Sequence, residues 1–338
     1  VGKCIAEWII DGEPSIDVWA MDVARFGEYA TPQYGTIKSS ENYERRFIMT
    51  FPNETLPKGR KQKTTALYDR FVSKGAVMGD SFGLENVLWF ANDQEDAYEE
   101  PTIKRSRSHD YVAREVINVR ENVGVMEIAN FSKHEFKGPD SRKFLNYLFA
   151  GQIPAVGRIS LNPLLTPKGK LYGDLTVACL QEDKFLVFGS GAVQDMHRRW
   201  FEKFLNEYDV IYKNKSDNYH GLLISGPKSR KLMQKLVRED ISNENFKFRD
   251  VKQIYVGGVP SIVNRISFTG ELGYEIYVAP HFQLKLYEEI ENAGKEFKLK
   301  AFGSRALMSM RLEKNWGAWT LDFRPDFTAK ESGLDFFI

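Results

Sequence analysis

The chain has 338 residues, of which 42% are hydrophobic and 28% charged, and its formal net charge is +1. This length corresponds to about two domains, and the composition is typical of a globular protein with a substantial core. A charge this close to zero excludes a general electrostatic attraction to nucleic acid or anionic lipid. No apolar run approaches the roughly 18 residues that a membrane-spanning helix needs. We therefore expect neither a nucleic acid nor a membrane as a partner.

The two cysteines, Cys4 and Cys179, lie far apart and cannot form a disulfide framework or a metal site by themselves. This usage fits a reducing compartment, which is the cytoplasm or, in a eukaryote, the mitochondrial matrix. Phosphate-binding glycine motifs and a nucleophile elbow are absent, which gives nucleotide-enzyme and hydrolase functions little support. The histidines have no metal-like spacing and are predicted to be surface or structural residues: His109, His134, His197, His220 and His281.

The first hundred residues show few regular patterns. Residues 2–10 have apolar side chains at helical spacing, and the Asp-Gly-Glu-Pro segment at 11–14 ends the predicted helix. Residues 15–57 lack a strong period and are interpreted as loops with short helices. A short helix at 66–71 is predicted to end at Gly75, and a domain boundary is placed near residue 95.

Beyond this boundary the patterns are sharper and predict both strands and helices. The predicted elements are a helix at 111–122 with Val112, Val116 and Val119 on one side, a strand at 125–128, strand pairs at 173–177 with 184–188 and at 253–256 with 259–267, and helices at 282–292 and 305–314. Gly257-Gly258 is predicted to form the turn of the second pair, and Gly294 to close the first of the last two helices.

An internal repeat is the most informative feature of this part of the chain. Residues 136–145 (FKGPDSRKFL) return as residues 224–233 (ISGPKSRKLM). Each copy predicts a strand, a Gly-Pro break and an amphipathic helix, and proline suits the first helical turn. The predicted fold class is therefore α+β with a duplicated strand–helix unit, without the strict alternation of a doubly wound sheet.

Two acidic positions stand out as candidates for chemistry. Asp174 interrupts an apolar strand pattern, where a carboxylate is normally costly; the alternative is a strand-edge residue bonded to a turn. In residues 268–275, Gly270 and Gly273 allow a tight backbone approach, and Glu271 and Glu275 lie beside them. A carboxylate can accept two hydrogen bonds from the donor edge of a pterin; the alternative is a glycine-rich turn between strands.

Several segments, in this order, carry a family resemblance: Trp19-Ala20-Met21-Asp22, Ala66-Leu67-Tyr68-Asp69-Arg70, Gly79-Asp80-Ser81-Phe82-Gly83, Asn162-Pro163-Leu164-Leu165-Thr166-Pro167-Lys168-Gly169-Lys170, Gly173-Asp174-Leu175-Thr176-Val177, Gly189-Ser190-Gly191, the 268–275 segment and Arg311-Leu312-Glu313-Lys314. They resemble the aminomethyltransferase (T-protein) of the glycine cleavage system, and more closely the folate-binding part of dimethylglycine and sarcosine dehydrogenases. The resemblance covers nearly all of the chain.

The resemblance implies a role for each candidate residue. Asp174 matches the carboxylate that assists proton transfer when a folate nitrogen attacks the one-carbon unit, and Thr176 lies beside the pocket. Glu275 matches the residue that holds the pterin ring. Phe268 stands where relatives often have tyrosine, so it keeps a stacking role without the phenol hydrogen bond. Leu307 stands where T-proteins carry an arginine, which leaves open how the glutamate tail of folate is held.

The resemblance also implies a domain organisation. Residues 1–34 would be the end of an FAD-dependent oxidoreductase domain, 35–95 a small central connecting domain, and 96–338 the T-protein-like folate-binding domain. The rest of the FAD domain and a further C-terminal domain, or subunits in their place, would be missing from this chain. Tetrahydrofolate is the expected cofactor here, whereas FAD is expected only in the intact protein.

The implied function is that of the folate-binding part of a flavin-dependent dimethylglycine or sarcosine dehydrogenase. Oxidation of an N-methylated glycine, the small-molecule substrate, would yield an iminium or formaldehyde, which tetrahydrofolate captures as 5,10-methylene-tetrahydrofolate. The chain alone is not expected to oxidise anything. One alternative is a folate-dependent aminomethyltransferase or demethylase without a flavin step, and another is a non-catalytic regulatory relative that keeps the fold.

Overall fold

A computed structural model describes residues 1–12, 14–319 and 321–338. Its α-helices are α1 (Gly2–Asp11), α2 (Pro32–Glu44), α3 (Tyr68–Val72), α4 (His109–Glu121), α5 (Ser141–Leu148), α6 (Gln194–Phe204), α7 (Ser229–Leu236), α8 (Gln283–Gly294) and α9 (Ser304–Glu313). Its strands are β1 (Ala76–Ser81), β2 (Leu84–Phe90), β3 (Gly124–Glu127), β4 (Phe131–Lys137), β5 (Ile159–Leu165), β6 (Leu171–Gln181), β7 (Lys184–Ser190), β8 (Ile211–Asn214), β9 (His220–Ser225), β10 (Val251–Val256), β11 (Val259–Asn264), β12 (Gly273–Val278) and β13 (Lys300–Ala301).

The chain divides into two compact units that alternate along the sequence. The first unit comprises residues 1–27, 131–214 and 317–338, and the second comprises residues 28–130 and 215–316. The predicted domain divisions at residues 34 and 95 stay predictions. Among the described residues, no helix is both long and apolar enough to cross a membrane.

The first unit is built on a five-stranded sheet with the order β5-β6-β7-β4-β8, in which all neighbours are antiparallel. Alternate residues of β6, including Leu175 and Val177, are buried in a core with side chains of α5 and α6. In α5 the buried apolar residues Phe144, Leu145 and Leu148 recur at helical spacing and form one stripe. Full burial of a side chain of this size contributes about 1.5–3 kcal/mol, so these helices are held to one face of the sheet.

The second unit contains a six-stranded sheet with the order β10-β11-β12-β9-β3-β13 and the separate hairpin β1–β2. Its main core joins Leu222 and Ile224 of β9 and Ile276 of β12 to apolar residues of α7 and α8. Strands β10 and β11 pair from Val251–Asn264 to Val256–Val259, which leaves two residues for the turn. Both are glycines with positive φ, 57° and 77°, as a type I′ turn requires. The predicted Gly257-Gly258 hairpin is therefore confirmed.

The internal repeat corresponds to one copy of the same local structure in each unit. Gly138 follows β4 with φ 145°, and Gly226 follows β9 with φ 132°. A Cβ at Gly138 would lie 2.4 Å from a backbone oxygen of Asp209, and one at Gly226 would lie 2.6 Å from the backbone oxygen of Asn122, so each position needs glycine. After each copy, three strands form a meander whose last strand pairs with the first strand of the copy. The predicted α+β fold with duplicated strand–helix units is confirmed.

Helix α2 is the main element that the sequence patterns missed, because residues 15–57 were interpreted as loops with short helices. It spans 13 residues. Its buried residue is Glu41, so it lacks the apolar stripe that a periodicity search detects. The available signal was Thr31-Pro32: the Thr31 hydroxyl accepts from the Tyr34 N–H at 3.2 Å, and proline occupies the first turn.

Helix ends also show where a local rule failed. Gly12 ends α1 in the left-handed conformation with φ 78°, as predicted, although Glu13 of the predicted stop lies outside the described residues. Gly294, predicted to close α8, is instead the last residue of the helix, and Lys298 carries the positive φ of 59°. A Cβ at Gly294 would lie 2.4 Å from Leu299, so this glycine is required for packing rather than for its φ angle.

Two buried histidines lie in the core of the first unit. The ring centroids of His134 and His197 are 6.4 Å apart. His134 Nδ1 shares a hydrogen bond of 2.9 Å with the Tyr212 hydroxyl, and His197 Nε2 donates to the Tyr172 carbonyl at 3.1 Å. Burial lowers the pKa of His197 to about 4 and lowers that of His134 below its ordinary range. Both therefore act as neutral, hydrogen-bonded structural residues at physiological pH.

We expect these histidines to make the fold sensitive to acid. Because the pKa of His197 is lower in the folded chain than its ordinary 6.5, the unfolded chain binds more protons between these values. The stability that the neutral imidazoles contribute is therefore fully present at pH 7 and is lost as the pH falls to 4. For His197 this loss in the free energy of unfolding is about 3 kcal/mol. His197→Gln, which keeps an N–H donor but does not titrate, should flatten the pH dependence of the free energy of unfolding measured by urea denaturation. An unchanged slope would contradict the assignment.

Candidate functional site

Asp174 and Thr176 lie on the same face of β6, opposite the core of the first unit. Their neighbours Leu175 and Val177 belong to that core, and successive side chains of a strand alternate between its two faces. The pairing of β6 with β7 ends at Thr176–Phe188, whereas on the other side Asp174 still pairs with Pro163 of β5. Asp174 thus lies two residues beyond the last β6–β7 pair, where the ladder has opened.

The Asp174 carboxylate is electrostatically unusual. Burial raises its pKa from an ordinary 3.8 to about 7, and a hydrogen bond from its own backbone N–H opposes this shift only in part. Among the described residues no cation stabilises its charge. A carboxyl group that titrates near neutral pH can both accept and return a proton under physiological conditions, which is the requirement for general acid–base chemistry.

A buried lysine lies on the same sheet face and was missed by sequence reasoning. Thr176 pairs with Phe188 across β6 and β7, and Phe188 pairs with Lys133 across β7 and β4. Residues paired in this way present their side chains to the same face, and Lys133 is fully buried. The sequence offers no signal for it, because a lysine in an alternating strand is normally solvent-exposed.

Glu275 occupies the middle of β12 in the second unit and is only 9% exposed. Its neighbour Ile276 belongs to the core packed on α7 and α8, so Glu275 and Tyr277 point to the opposite face. The buried Tyr277 hydroxyl donates to Glu275 at 2.9 Å. Burial, followed by the Glu275 charge, raises the pKa of Tyr277, so this phenol remains a donor to the carboxylate.

Phe268, which is half-buried, lies in the segment between β11 and β12. A buried hydroxyl cluster holds this segment: the Thr269 hydroxyl lies 2.6 Å from that of Ser225 and 2.7 Å from that of Ser267. Gly270 follows with φ 84°, a conformation that favours glycine. The 268–275 segment is therefore both a structured glycine turn and the start of the strand that carries Glu275.

The two glutamates of the 268–275 segment have different roles. Arg120 donates to Glu271 at 2.6 Å and to Glu313 at 2.7 Å. Glu271 thus joins the turn to α4 and α9, while Glu275 lies on the sheet face. Sequence reasoning could not separate the two, because Arg120 is 151 residues away from Glu271.

Asn264 is a second polar residue on the face of Glu275 and was also missed. It is directly opposite Glu275 in the β11–β12 pairing and fully buried. Neither its amide oxygen nor its amide nitrogen has a hydrogen-bond partner among the described residues. The only signal in the sequence was a polar residue at the end of an apolar strand.

The side chain of Lys314 places a positive charge near Glu275 in the second unit. Lys314 donates to the Ser267 carbonyl at 3.3 Å. Desolvation lowers its pKa, and the charge of Glu275 opposes that shift, so the ammonium group lies within the electrostatic field of Glu275. Leu307, at the place of the T-protein arginine, is buried in α9 and supplies no charge.

The structure therefore brings Asp174 and Thr176 together on one strand of the first unit, and positions Glu275 in the second unit on the strand that follows the Phe268 segment. The described residues contain no group of three or more His, Cys, Asp and Glu side chains that could hold a metal ion. Each unit has a polar face on its central strands. The fold is that of an α+β protein built from a duplicated strand–helix unit.

Comparison with known families agrees with this architecture. A family model described as the GCVT N-terminal domain matches residues 67–338, and one described as the FAD dependent oxidoreductase central domain matches residues 11–65. The first match covers most of the chain, which therefore belongs to the GCVT N-terminal domain family.

Individual relatives agree with the family assignment. The chain is 37% identical over 342 residues to mitochondrial dimethylglycine dehydrogenase from Homo sapiens, a match that covers 100% of this chain and 39% of the relative. It is 27% identical to mitochondrial sarcosine dehydrogenase from Homo sapiens, covering 99% of this chain and 41% of the relative. It thus spans about two-fifths of the length of these proteins. The resemblance stated from the sequence is confirmed.

A solved structure shows the same fold. The glycine cleavage system aminomethyltransferase T from Bartonella henselae superimposes with a TM-score of 0.68 and 20% sequence identity, covering 81% of this chain and 68% of that one. At this identity the match supports the fold alone. The prediction of a T-protein-like α+β fold is confirmed by it.

Proposed function

We propose that this chain binds tetrahydrofolate and serves as the one-carbon acceptor part of a dimethylglycine or sarcosine dehydrogenase. The observation that carries the proposal is Asp174, a desolvated carboxyl group with a pKa of about 7 on a family-matched strand. The family and the dehydrogenase relatives supply the context. The intact protein's substrate, an N-methylated glycine, and its mitochondrial matrix location in a eukaryote belong to the same proposal.

The polar groups of the second unit fit the proposed ligand. A pterin presents N–H donors and a carbonyl acceptor along one edge. Glu275 accepts hydrogen bonds, and the buried Asn264 opposite it has a donor and an acceptor that find no partner among residues 1–12, 14–319 and 321–338. Phe268 would cover the ring, and Thr176 would lie beside the pocket.

Tetrahydrofolate, when bound, supplies the nitrogen nucleophile that takes up a one-carbon unit and yields 5,10-methylene-tetrahydrofolate. Asp174 would accept the proton that the attacking nitrogen releases, or stabilise the positive charge that develops there. Its raised pKa suits proton transfer because the carboxyl is about half ionised at neutral pH. Glu275 would orient the ring through its buried carboxylate.

FAD enters the proposal only for the intact protein. Residues 11–65 match a central domain of FAD-dependent oxidoreductases, and FAD itself would be held largely by the additional domains or subunits that the proposal requires. Flavin absorbance of the purified chain tests this part, because the proposal expects none. The additional domains or subunits would also perform the amine oxidation.

Calorimetric titration of tetrahydrofolate into the purified chain tests the binding proposal. We expect Glu275→Ala to weaken binding by about tenfold or more, because a hydrogen bond to a charged group contributes about 1.5–3 kcal/mol. Asp174→Asn should bind within a few-fold of the wild type, because its role is in chemistry. Glu271→Gln is the matched control, since Glu271 faces Arg120, and should bind like the wild type.

The same titration separates the alternatives. Failure of a well-folded wild-type chain to bind would reject an autonomous folate site and leave a scaffold or a part that needs its additional domains. Weak binding despite good folding would favour a non-catalytic regulatory relative. Binding by a chain that proves to be a complete natural subunit, paired with a separate flavin protein, would favour a folate-dependent aminomethyltransferase.

A further inference from the structure

We infer that Asn264 is a specificity-determining residue of the proposed site. Its carboxamide would bind a ligand ring edge that carries both donors and an acceptor, because a carboxylate alone can pair only with the donors. This role depends on the proposed function. Asn264 is fully buried, with an exposed fraction of 0%.

The position of Asn264 aligns it with Glu275. The two residues are paired across β11 and β12, so their side chains project from the same sheet face with Cβ atoms about 5 Å apart. Val263 and Ile276, their neighbours, belong to the core on the other face. The carboxamide and the carboxylate therefore form one polar surface.

The hydrogen-bonding state of Asn264 indicates a ligand. Both its Oδ1 and its Nδ2 are buried without a hydrogen-bond partner in the described part of the chain, and more than nine in ten buried polar groups in native proteins have one. By contrast, the buried Asn118 donates from Nδ2 to the Val123 carbonyl at 2.9 Å, and its Oδ1 accepts from Asn122 at 3.3 Å. The hydrogen bonds of Asn118 account for its burial, whereas the Asn264 carboxamide makes none with the described residues.

The chemistry of the pair defines what it would recognise. A carboxylate only accepts hydrogen bonds, whereas a carboxamide both donates and accepts. A ring edge that presents N–H groups beside a carbonyl needs both kinds of partner. Glu275 would accept from the N–H groups, while Asn264 Nδ2 would donate to the carbonyl oxygen. This arrangement selects a 2-amino-4-oxo heterocycle such as a reduced pterin over rings that present only donors.

The test combines a binding and a stability measurement on Asn264→Leu and Asn118→Leu. If Asn264 serves a ligand, leucine at this position should leave the melting temperature of the free chain unchanged or raised, because replacing an unpaired buried polar group by an apolar one removes a cost. The same variant should raise the Kd for tetrahydrofolate at least tenfold. Asn118→Leu should do the opposite, with a lower melting temperature and a Kd within about twofold of the wild type.

A second variant tests the inference if the Asn264→Leu protein does not fold. Asn264→Asp keeps the shape, removes the Nδ2 donor and adds a charge beside Glu275, and it should weaken binding at pH 8 at least tenfold. Unaltered affinity in either folded variant would overturn the inference and leave the proposed function intact. A loss of thermal stability in Asn264→Leu equal to that in Asn118→Leu would also overturn it. No binding of tetrahydrofolate by the folded wild type would overturn both proposals.

Discussion

Asp174→Asn is expected to lower the rate at which the chain transfers a one-carbon unit from formaldehyde to tetrahydrofolate by about 10²- to 10³-fold, after subtraction of the uncatalysed rate. Asparagine has nearly the same shape but cannot accept a proton, and general acid–base catalysis contributes roughly this factor. The rate is measured by the absorbance change of the folate product. Asp183→Asn, an exposed position next to β7, is the control and should retain the wild-type rate.

The pH dependence makes this prediction specific to Asp174. Its pKa of about 7 means that the wild-type rate should rise through neutral pH as the carboxyl ionises, and that the asparagine variant should lose this rise. Stability should change in the opposite direction. A folded-state pKa above the ordinary 3.8 means that the ionised carboxylate destabilises the fold, so stability declines as the pH rises from about 4 to 7.

The asparagine variant should accordingly become more stable than the wild type at pH 8, in a urea denaturation series. A variant that is more stable but inactive would show that the ionised Asp174 carboxylate destabilises the fold and is nevertheless required for the reaction. Equal rates and equal pH profiles for wild type and variant would reject Asp174 as the proton acceptor.

Gly303→Ala is expected to destabilise the second unit by about 3 kcal/mol, at the upper end of the usual cost of overpacking. A Cβ at Gly303 would lie 2.2 Å from the backbone oxygen of Leu88, which belongs to β2. Neither backbone can readily move away. The Gly303 N–H donates to the buried Glu115 at 2.9 Å, and the same carboxylate accepts from the Phe90 N–H at 2.6 Å.

Urea denaturation of the whole chain measures this effect, with Gly35→Ala as the matched control. Gly35 lies inside α2, where an added Cβ meets no atom of the described residues within 4 Å, so alanine should stabilise by up to about 1 kcal/mol. A Gly303→Ala protein as stable as the wild type would show that the contact between Gly303 and β2 is not needed for folding.

Local patterns predicted much of this fold correctly, because the interactions behind them are local. The type I′ hairpin at Gly257-Gly258 follows from the φ angles of two adjacent residues. The repeated strand–Gly-Pro–helix segment appears once in each unit because glycine and helical periodicity act over a few residues. Helix α2 was missed because the features that mark it are the Thr31 cap and an ion pair between half-buried Lys38 and buried Glu41, neither of which produces an apolar period.

Local sequence patterns identified only part of the candidate site. Asp174 was noticeable because a carboxylate in an apolar strand is costly, and Glu275 because it lies in the glycine-containing 268–275 segment. Nothing local distinguishes Glu271 from Glu275, and the difference comes from Arg120, which is far away in sequence.

The sequence by itself determined the fold class, the duplicated unit and the acidic residues around which a folate site would be built. The tertiary structure decided which strands pair and in which register. That register puts Asn264 opposite Glu275. It also puts Lys133 on the same sheet face as Thr176, because both residues pair with Phe188. Burial then raises the pKa of Asp174 to about 7. Register and desolvation depend on residues brought together from distant parts of the chain, and for that reason no local pattern could have revealed them.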